Sequence, residues 1–188
     1  MESENKIYRE LKKRLTTDTY DHGQKLRAEV LREEFACSAS TVREILFRLA
    51  SEGLVHFQDQ RGFRVPELSP TKLIELTHMR ILLESEGAVL SIRQGGVGWE
   101  ASLTAAHHKL SHLEKRIHAR EDPTELVDLW FNSEKEFHQT LISACSSSTL
   151  KHMHSLIYAQ FRQQLMKAVR KFDFISNNIK QHNDILEA

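Results

Sequence analysis

The sequence predicts a mostly α-helical protein built from two domains. Three observations carry this: apolar residues recur at helical spacing through most of the chain, alternating runs are scarce, and only seven Gly and three Pro are available for turns. A length of 188 residues accommodates one small domain plus one of about 120 residues. With 40% hydrophobic and 28% charged residues, and 26 basic against 26 acidic, the chain is neither a disordered tail nor a polybasic sponge. No run approaches the roughly 18 apolar residues of a membrane span, and the opening MESENKIYRE lacks the apolar block of a signal peptide, so a cytoplasmic protein without a membrane partner is expected. Cys37 and Cys145 each fall in an apolar helical pattern and imply no redox role.

The first domain is expected over residues 1–66, with 67–70 as linker. Ile7, Leu11 and Leu15 share one face of a first helix, and Gly23 closes the turn region that follows it. A second short helix runs from about Arg27 to Phe35. The serines of Ser38-Ala39-Ser40 offer an N-cap to a third helix, whose buried stripe is Val42, Ile45, Leu46 and Leu49 and which stops at Glu52-Gly53. LVHF and FRVP then read as two short strands around DQRG, with Gly62 near the turn. Three helices followed by a β-hairpin is the order of a winged helix-turn-helix. The exposed face of the third helix carries Ser40, Thr41, Arg43, Phe47 and Arg48, a chemistry suited to phosphates and base edges in a major groove; Ser38 at its start and Arg61 in the hairpin extend that set. The alternative is that the arginines are ordinary solvated charges, because this half carries 12 basic and 11 acidic residues, a net charge of only +1.

The stretch KLRAEVLREEFACSASTVREILFRLASEGLVHFQDQRGFRVPELS resembles, over about 45 residues in register, the DNA-binding domain of the GntR family of bacterial transcription regulators, with its VREAL-type recognition helix, EGLV and glycine-containing wing. The resemblance implies double-stranded operator DNA as partner and a homodimer as the binding form. Ala39 stands where the family usually has Arg, and Thr41 where it usually has Pro, so the operator is expected to differ from the family's common one.

Residues 71–188 read as an all-α antiparallel helical bundle. Ser69 caps a helix with Pro70 at its first position. Helix 70–93 has two apolar stripes, Ile74, Ile81, Ala88 and Ile92, and Leu73, Leu76, Leu83 and Leu90, and is expected to be buried on two sides. Gly95-Gly96-Val97-Gly98 breaks it; helices follow at 99–119, from Asp122-Pro123 to about Cys145, at 149–170 and at 173–188. This pattern, with LIELTHMRILLESEGAVLSIRQGG, EKEFHQTLISA and QHNDILEA, resembles the FCD effector-binding domain of one large GntR subfamily, and Arg93 to Lys115 looks closest to its CsiR-like members. ILEA stops inside an amphipathic pattern without a C-cap, so the chain reads as cut short there.

Nine of the 11 histidines lie after residue 66. In the helix ending near Cys145, the spacing of Val127, Trp130, Phe131, Phe137, Leu141 and Ile142 leaves Glu134 and His138 inside the buried stripe; His182 occupies the stripe Phe172, Ile175, Ile179 and Leu186. A buried carboxylate needs an imidazole, an arginine or a metal, and residues at i and i+4 can converge on one ion. A hydrogen-bonded Glu134–His138 pair with a satisfied His182 is the alternative. The resemblance implies a divalent ion, Zn²⁺, Ni²⁺ or Mn²⁺, held through the D-x-x-F-H motif, here with Glu for Asp, and later histidines, of which His182 matches the first. His108 and His112 face away from the stripe Leu103, Ala106, Leu110, Leu113 and Ile117 and read as solvated, and His152 and His154 as helix-edge packing. Arg80 interrupts an apolar row and requires a carboxylate, either Glu84 one turn later or an acidic effector.

Together these readings describe a regulator, not an enzyme: a winged helix on DNA, and a helical domain that binds a small carboxylate over a metal and changes operator affinity. The rival reading is a metal-dependent enzyme with a two-histidine, one-carboxylate site. That triad usually sits on a β-barrel, and HExxH, GxSxG and a nucleotide loop are all missing from the sequence.

Overall fold

A computed structural model describes residues 2–17, 19–119 and 124–168. In order along the chain it contains α1 (Glu2–Leu15), β1 (Lys25–Leu26), α2 (Ala28–Glu34), α3 (Ala39–Ser51), β2 (His56–Gln58), β3 (Gly62–Arg64), α4 (Pro70–Gln94), α5 (Val97–His118), α6 (Thr124–Leu141) and α7 (Ser148–Ala168). The described residues fall into two compact units, one of 1–77 with 156–168 and one around 78–155.

The first unit is a winged helix-turn-helix. Ile7, Leu11 and Leu15 of α1 pack with Leu31 of α2, the α3 stripe Val42, Ile45, Leu46 and Leu49, and Leu26, Phe63 and Val65 in one core. Ser38 caps α3, its Oγ accepting from Thr41 N at 3.0 Å. The helix ends at Glu52, and Gly53 takes φ +74, a left-handed conformation that a side chain would strain. The expected hairpin is present, with Gln60 and Gly62 at positive φ in its turn. A strand the sequence did not announce, β1, pairs with β3, giving the sheet order β1-β3-β2. Two residues are too few for any periodicity to show.

The second half of α7 completes this unit. Ala159 joins the core, Gln160 Nε2 donates to Glu52 O at 3.0 Å, Gln163 Nε2 to Leu54 O at 3.0 Å and Arg162 Nε to Thr16 O at 3.0 Å. Gln164 accepts from Ser69 N and donates to Glu67 O. These side chains satisfy backbone groups at the ends of α1, α3 and the wing that would otherwise be orphaned as the surface closes.

In the second unit α5 packs along α6 through Leu103, Ala106, Leu110, Leu113 and Ile117 against Trp130, Phe131, Phe137 and Leu141. Gly87 of α4 is required by close approach: a Cβ there would lie 2.6 Å from Ile142. Trp99 Nε1 donates to Thr140 O, and Ser91 Oγ accepts from Cys145 N. α6 ends at Leu141, one turn before the expected Cys145. Neither of the two stripes expected to bury α4 is buried as a whole: Leu76 is, Leu73, Leu83 and Leu90 beside it are half-buried, and Ile74, Ile81 and Ile92 of the other stripe are exposed. Leu76, Arg80, Gly87 and Ser91 face inward, whereas Ile81, Leu82 and Ile92 are 55%, 61% and 67% exposed. Burial on two sides is not found, because apolar spacing reports what a face avoids and not what covers it.

Candidate functional site

Two sets of residues carry chemistry. The first is the outward face of α3. Ser40, Arg43, Glu44, Phe47, Arg48 and Ser51 are exposed there, and Thr41 is half-buried beside the cap. Arg43 Nη2 lies 3.3 Å from Glu29 Oε1 across the turn between α2 and α3. Arg48 stacks over the Tyr8 ring at 3.7 Å and lies 3.8 Å from Glu52. Tyr8 donates to Glu52 at 2.5 Å and Lys12 reaches the same carboxylate at 2.6 Å. The Arg48 guanidinium is thus held against α1 by the Tyr8 ring, while Arg43 pairs with an exposed carboxylate that a phosphate or a guanine edge can replace. Ser38 accepts from the α3 backbone and Arg61 is exposed in the wing turn.

The second set is a buried polar cluster on α4, α6 and α7. Glu134 and His138 sit inside the α6 stripe, both almost fully buried. Arg80 Nη2 donates to Glu134 Oε1 at 2.6 Å and Arg80 Nε to Glu84 Oε1 at 2.7 Å. His138 Nε2 lies 3.3 Å from Glu134 Oε1, and its Nδ1 lies 3.0 Å from Glu84 Oε2. His154 Nε2 lies 2.8 Å from Glu84 Oε1. Three basic side chains, one each from α4, α6 and α7, therefore converge on one pair of carboxylates. Arg80 has both an internal partner and the role of joining α4 to α6. His154, read from the sequence as edge packing, is among the most buried side chains of the chain and belongs to the cluster. Glu84 entered only as a possible partner of Arg80 and proves to be the centre. Another buried acid the sequence reading passed over, Glu114 of α5, accepts from Trp130 Nε1 at 3.3 Å.

The electrostatics follow from this crowding. Burial pushes the Glu84 carboxyl up, but the charges of His138 and Arg80 and the hydrogen bonds from His138 and His154 outweigh it, holding the group well below the usual carboxylate range. Burial and Arg80 depress His138, and the carboxylates of Glu84 and Glu134 more than reverse this, so its imidazole is raised above its ordinary value.

Glu134 Oε1 and His138 Nε2, 3.3 Å apart, have about the separation of two ligands around a tetrahedral ion bound at roughly 2.1 Å. The same Glu134 oxygen accepts from Arg80 Nη2 at 2.6 Å, so an ion held by this pair would have to displace that hydrogen bond. His182 lies outside the described residues, and among those described no group of three His, Cys, Asp or Glu is arranged to hold a metal. No described helix is long and apolar enough to cross a membrane.

Comparison with known proteins matches both halves. The model of the bacterial regulatory proteins of the gntR family covers residues 3–65, and that of the FCD domain covers residues 75–188. An uncharacterized HTH-type transcriptional regulator BphR of Paraburkholderia xenovorans is 37% identical over 75% of this chain, which spans 57% of that relative's length. The HTH-type transcriptional repressor GlaR of Escherichia coli is 29% identical over 96% of this chain and 82% of its own. Among solved structures, E. coli McbR/YncC matches with TM-score 0.74 at 20% identity, over 96% of this chain and 82% of that one. A GntR regulator from Rhodococcus sp. RHA1 matches with TM-score 0.79 at 18% identity, over 100% and 86%.

Proposed function

The chain belongs to the GntR family of DNA-binding transcriptional regulators, in the branch whose second domain is FCD, and from that premise we propose that its operator affinity is set by a small carboxylate bound in the helical domain over a divalent metal ion. The metal-enzyme alternative falls with the family assignment. The observation that carries the proposal is the Arg80–Glu84–Glu134–His138–His154 cluster: buried charge of this density is expensive to build for stability alone. Glu134 and His138 would hold the ion, with His182 as the third ligand, and the ion would supply open positions to an oxygen donor. Arg80 already serves two carboxylates, so an effector carboxylate would bind there by taking the place of one of them. The reading also includes a cytoplasmic homodimer acting as a repressor. Two observations support these parts: the name of the relative GlaR, and Ile81, Leu82, Val89 and Ile92 of α4, large aliphatics left exposed.

The test is DNA retardation with fragments selected by the protein itself, run with purified metal-loaded and chelated protein against a panel of small mono- and dicarboxylates. A carboxylate that shifts affinity only in the metal-loaded protein is expected. Selected DNA whose affinity answers to no carboxylate in either state would overturn the effector reading, and a purified protein that neither contains nor takes up a divalent ion would overturn the metal.

A further inference from the structure

Phe47 is an anomaly on α3. The core stripe of that helix needs nothing from the opposite face, yet this large aromatic sits there at 48% exposure, in line with Ser40 and Arg43 at i−7 and i−4. Its ring is nonetheless held fast. The Phe57 centroid lies 4.8 Å away and that of Phe63 4.9 Å away, edge-on to Phe47. Phe57 and Phe63 are directly opposed in the β2–β3 ladder, 4.9 Å apart. Phe63 is buried and roots the triad in the core, while Phe57, like Phe47, leaves over 40% of its surface outside.

We propose that Phe47 is a specificity-determining residue that reads the 5-methyl group of a thymine in the operator's major groove, with Phe57 and Phe63 setting its ring in place. This rests on the reading that the outward face of α3 enters the groove. The thymine methyl is the one apolar group on the major-groove edge of a base pair, and an apolar side chain is its complement. Ser40 and Arg43 on the same line supply polar readout, so Phe47 adds a distinction they cannot make, between thymine and a base without a methyl. A ring pinned on two sides pays little entropy on contact, which a free side chain would. Packing of the wing alone would need contact with Phe63 but not the exposed half of the ring.

Fragments selected from a random pool by the full chain provide the operator. Each thymine of one half-site is then replaced by deoxyuridine, which deletes a methyl and keeps every hydrogen-bonding group. One position is expected to weaken binding about fourfold, the value of one buried methyl group. In Phe47→Ala, checked for an unchanged melting temperature, affinity for the thymine operator falls and the penalty at that position vanishes, while other uracil effects persist. Phe47→Gln, which keeps length and helix propensity, carries the same test if the alanine variant fails to fold. Unchanged uracil penalties in the variants, or no penalty anywhere in the unsubstituted protein, overturn the proposal while leaving groove binding intact. A pool that yields no enriched sequence overturns groove reading itself.

Discussion

Replacing Arg80 by Met tests whether the buried cluster is held together by charge. The guanidinium is almost fully buried, and it donates at 2.7 Å and 2.6 Å to two carboxylates that are themselves nearly inaccessible. Met fills the volume but leaves Glu84 and Glu134 facing each other without a permanent cation. Removing one partner of a buried pair costs about 3–5 kcal/mol. His138 offsets part of this, since losing the Arg80 charge removes one of the influences that depress its imidazole. A protonated His138 then stands in for the lost cation, so the penalty should reach that range at pH 8.5 and fall by about 1–2 kcal/mol near pH 6. The assay is urea unfolding of metal-free protein at both pH values, with Arg80→Met/Glu134→Gln as companion. The double variant should recover about half of the loss, because one uncompensated charge has been removed with its partner. A loss below about 1 kcal/mol, or a double variant no more stable than the single one, would refute the charge argument and reduce Arg80 to a packing residue.

Four further outcomes follow from the same geometry. In metal-free protein the raised His138 contributes stability that is complete below its unfolded value of about 6.5 and is lost as pH rises through the folded one, while the lowered Glu84 contributes above about 4.5 and is lost as pH falls; thermal unfolding should therefore show the second unit most stable between about pH 4.5 and 6.5. Added Zn²⁺, Ni²⁺ or Mn²⁺ should raise the melting temperature at pH 7.5 far more than at pH 5.5, and His138→Ala should abolish the difference. On the proposed dimer, Leu82→Glu adds a charge to the exposed aliphatic residues of α4 and should shift the protein from dimer to monomer by light scattering without lowering helicity. Arg43→Ala should weaken operator binding by about 1–3 kcal/mol, whereas Arg61→Ala should chiefly flatten its salt dependence, both read by retardation at two ionic strengths.

How much of this was legible in the sequence differs by the range of the interaction. Caps, helix faces and the wing turn are local, and Ser38, the α3 stripe and Gly62 announced them. The α6 stripe likewise placed Glu134 and His138 inside, because a polar residue on an apolar face is visible in one dimension. His154 was not legible in that way: only the approach of α7 to Glu84, 70 residues away, distinguishes it from an edge histidine. Gln160 and Gln163 of α7 carry no signal in one dimension for the same reason, since what they satisfy are backbone carbonyls at Glu52 and Leu54 that have no side-chain signature. The exposed face of α4 shows the converse limit, where periodicity located an apolar stripe and could not supply its partner.

The charge count of the cluster connects its proposed ligands. Arg80 against Glu84 and Glu134 leaves one negative charge, and a proton on His138 cancels it. A neutral cluster in a buried setting has no electrostatic reason to admit another carboxylate, whose desolvation would go uncompensated. A divalent ion would change the sum: taking the place of the His138 proton, it would leave the cluster with one positive charge in excess, which the negative charge of a monocarboxylate would balance. Under this proposal, proton and metal would compete for the same imidazole with opposite consequences for an anion. On the proposed reading, this is why the effector would be held over a metal instead of by Arg80 alone: the guanidinium is already committed to two carboxylates, and the surplus charge comes from the ion.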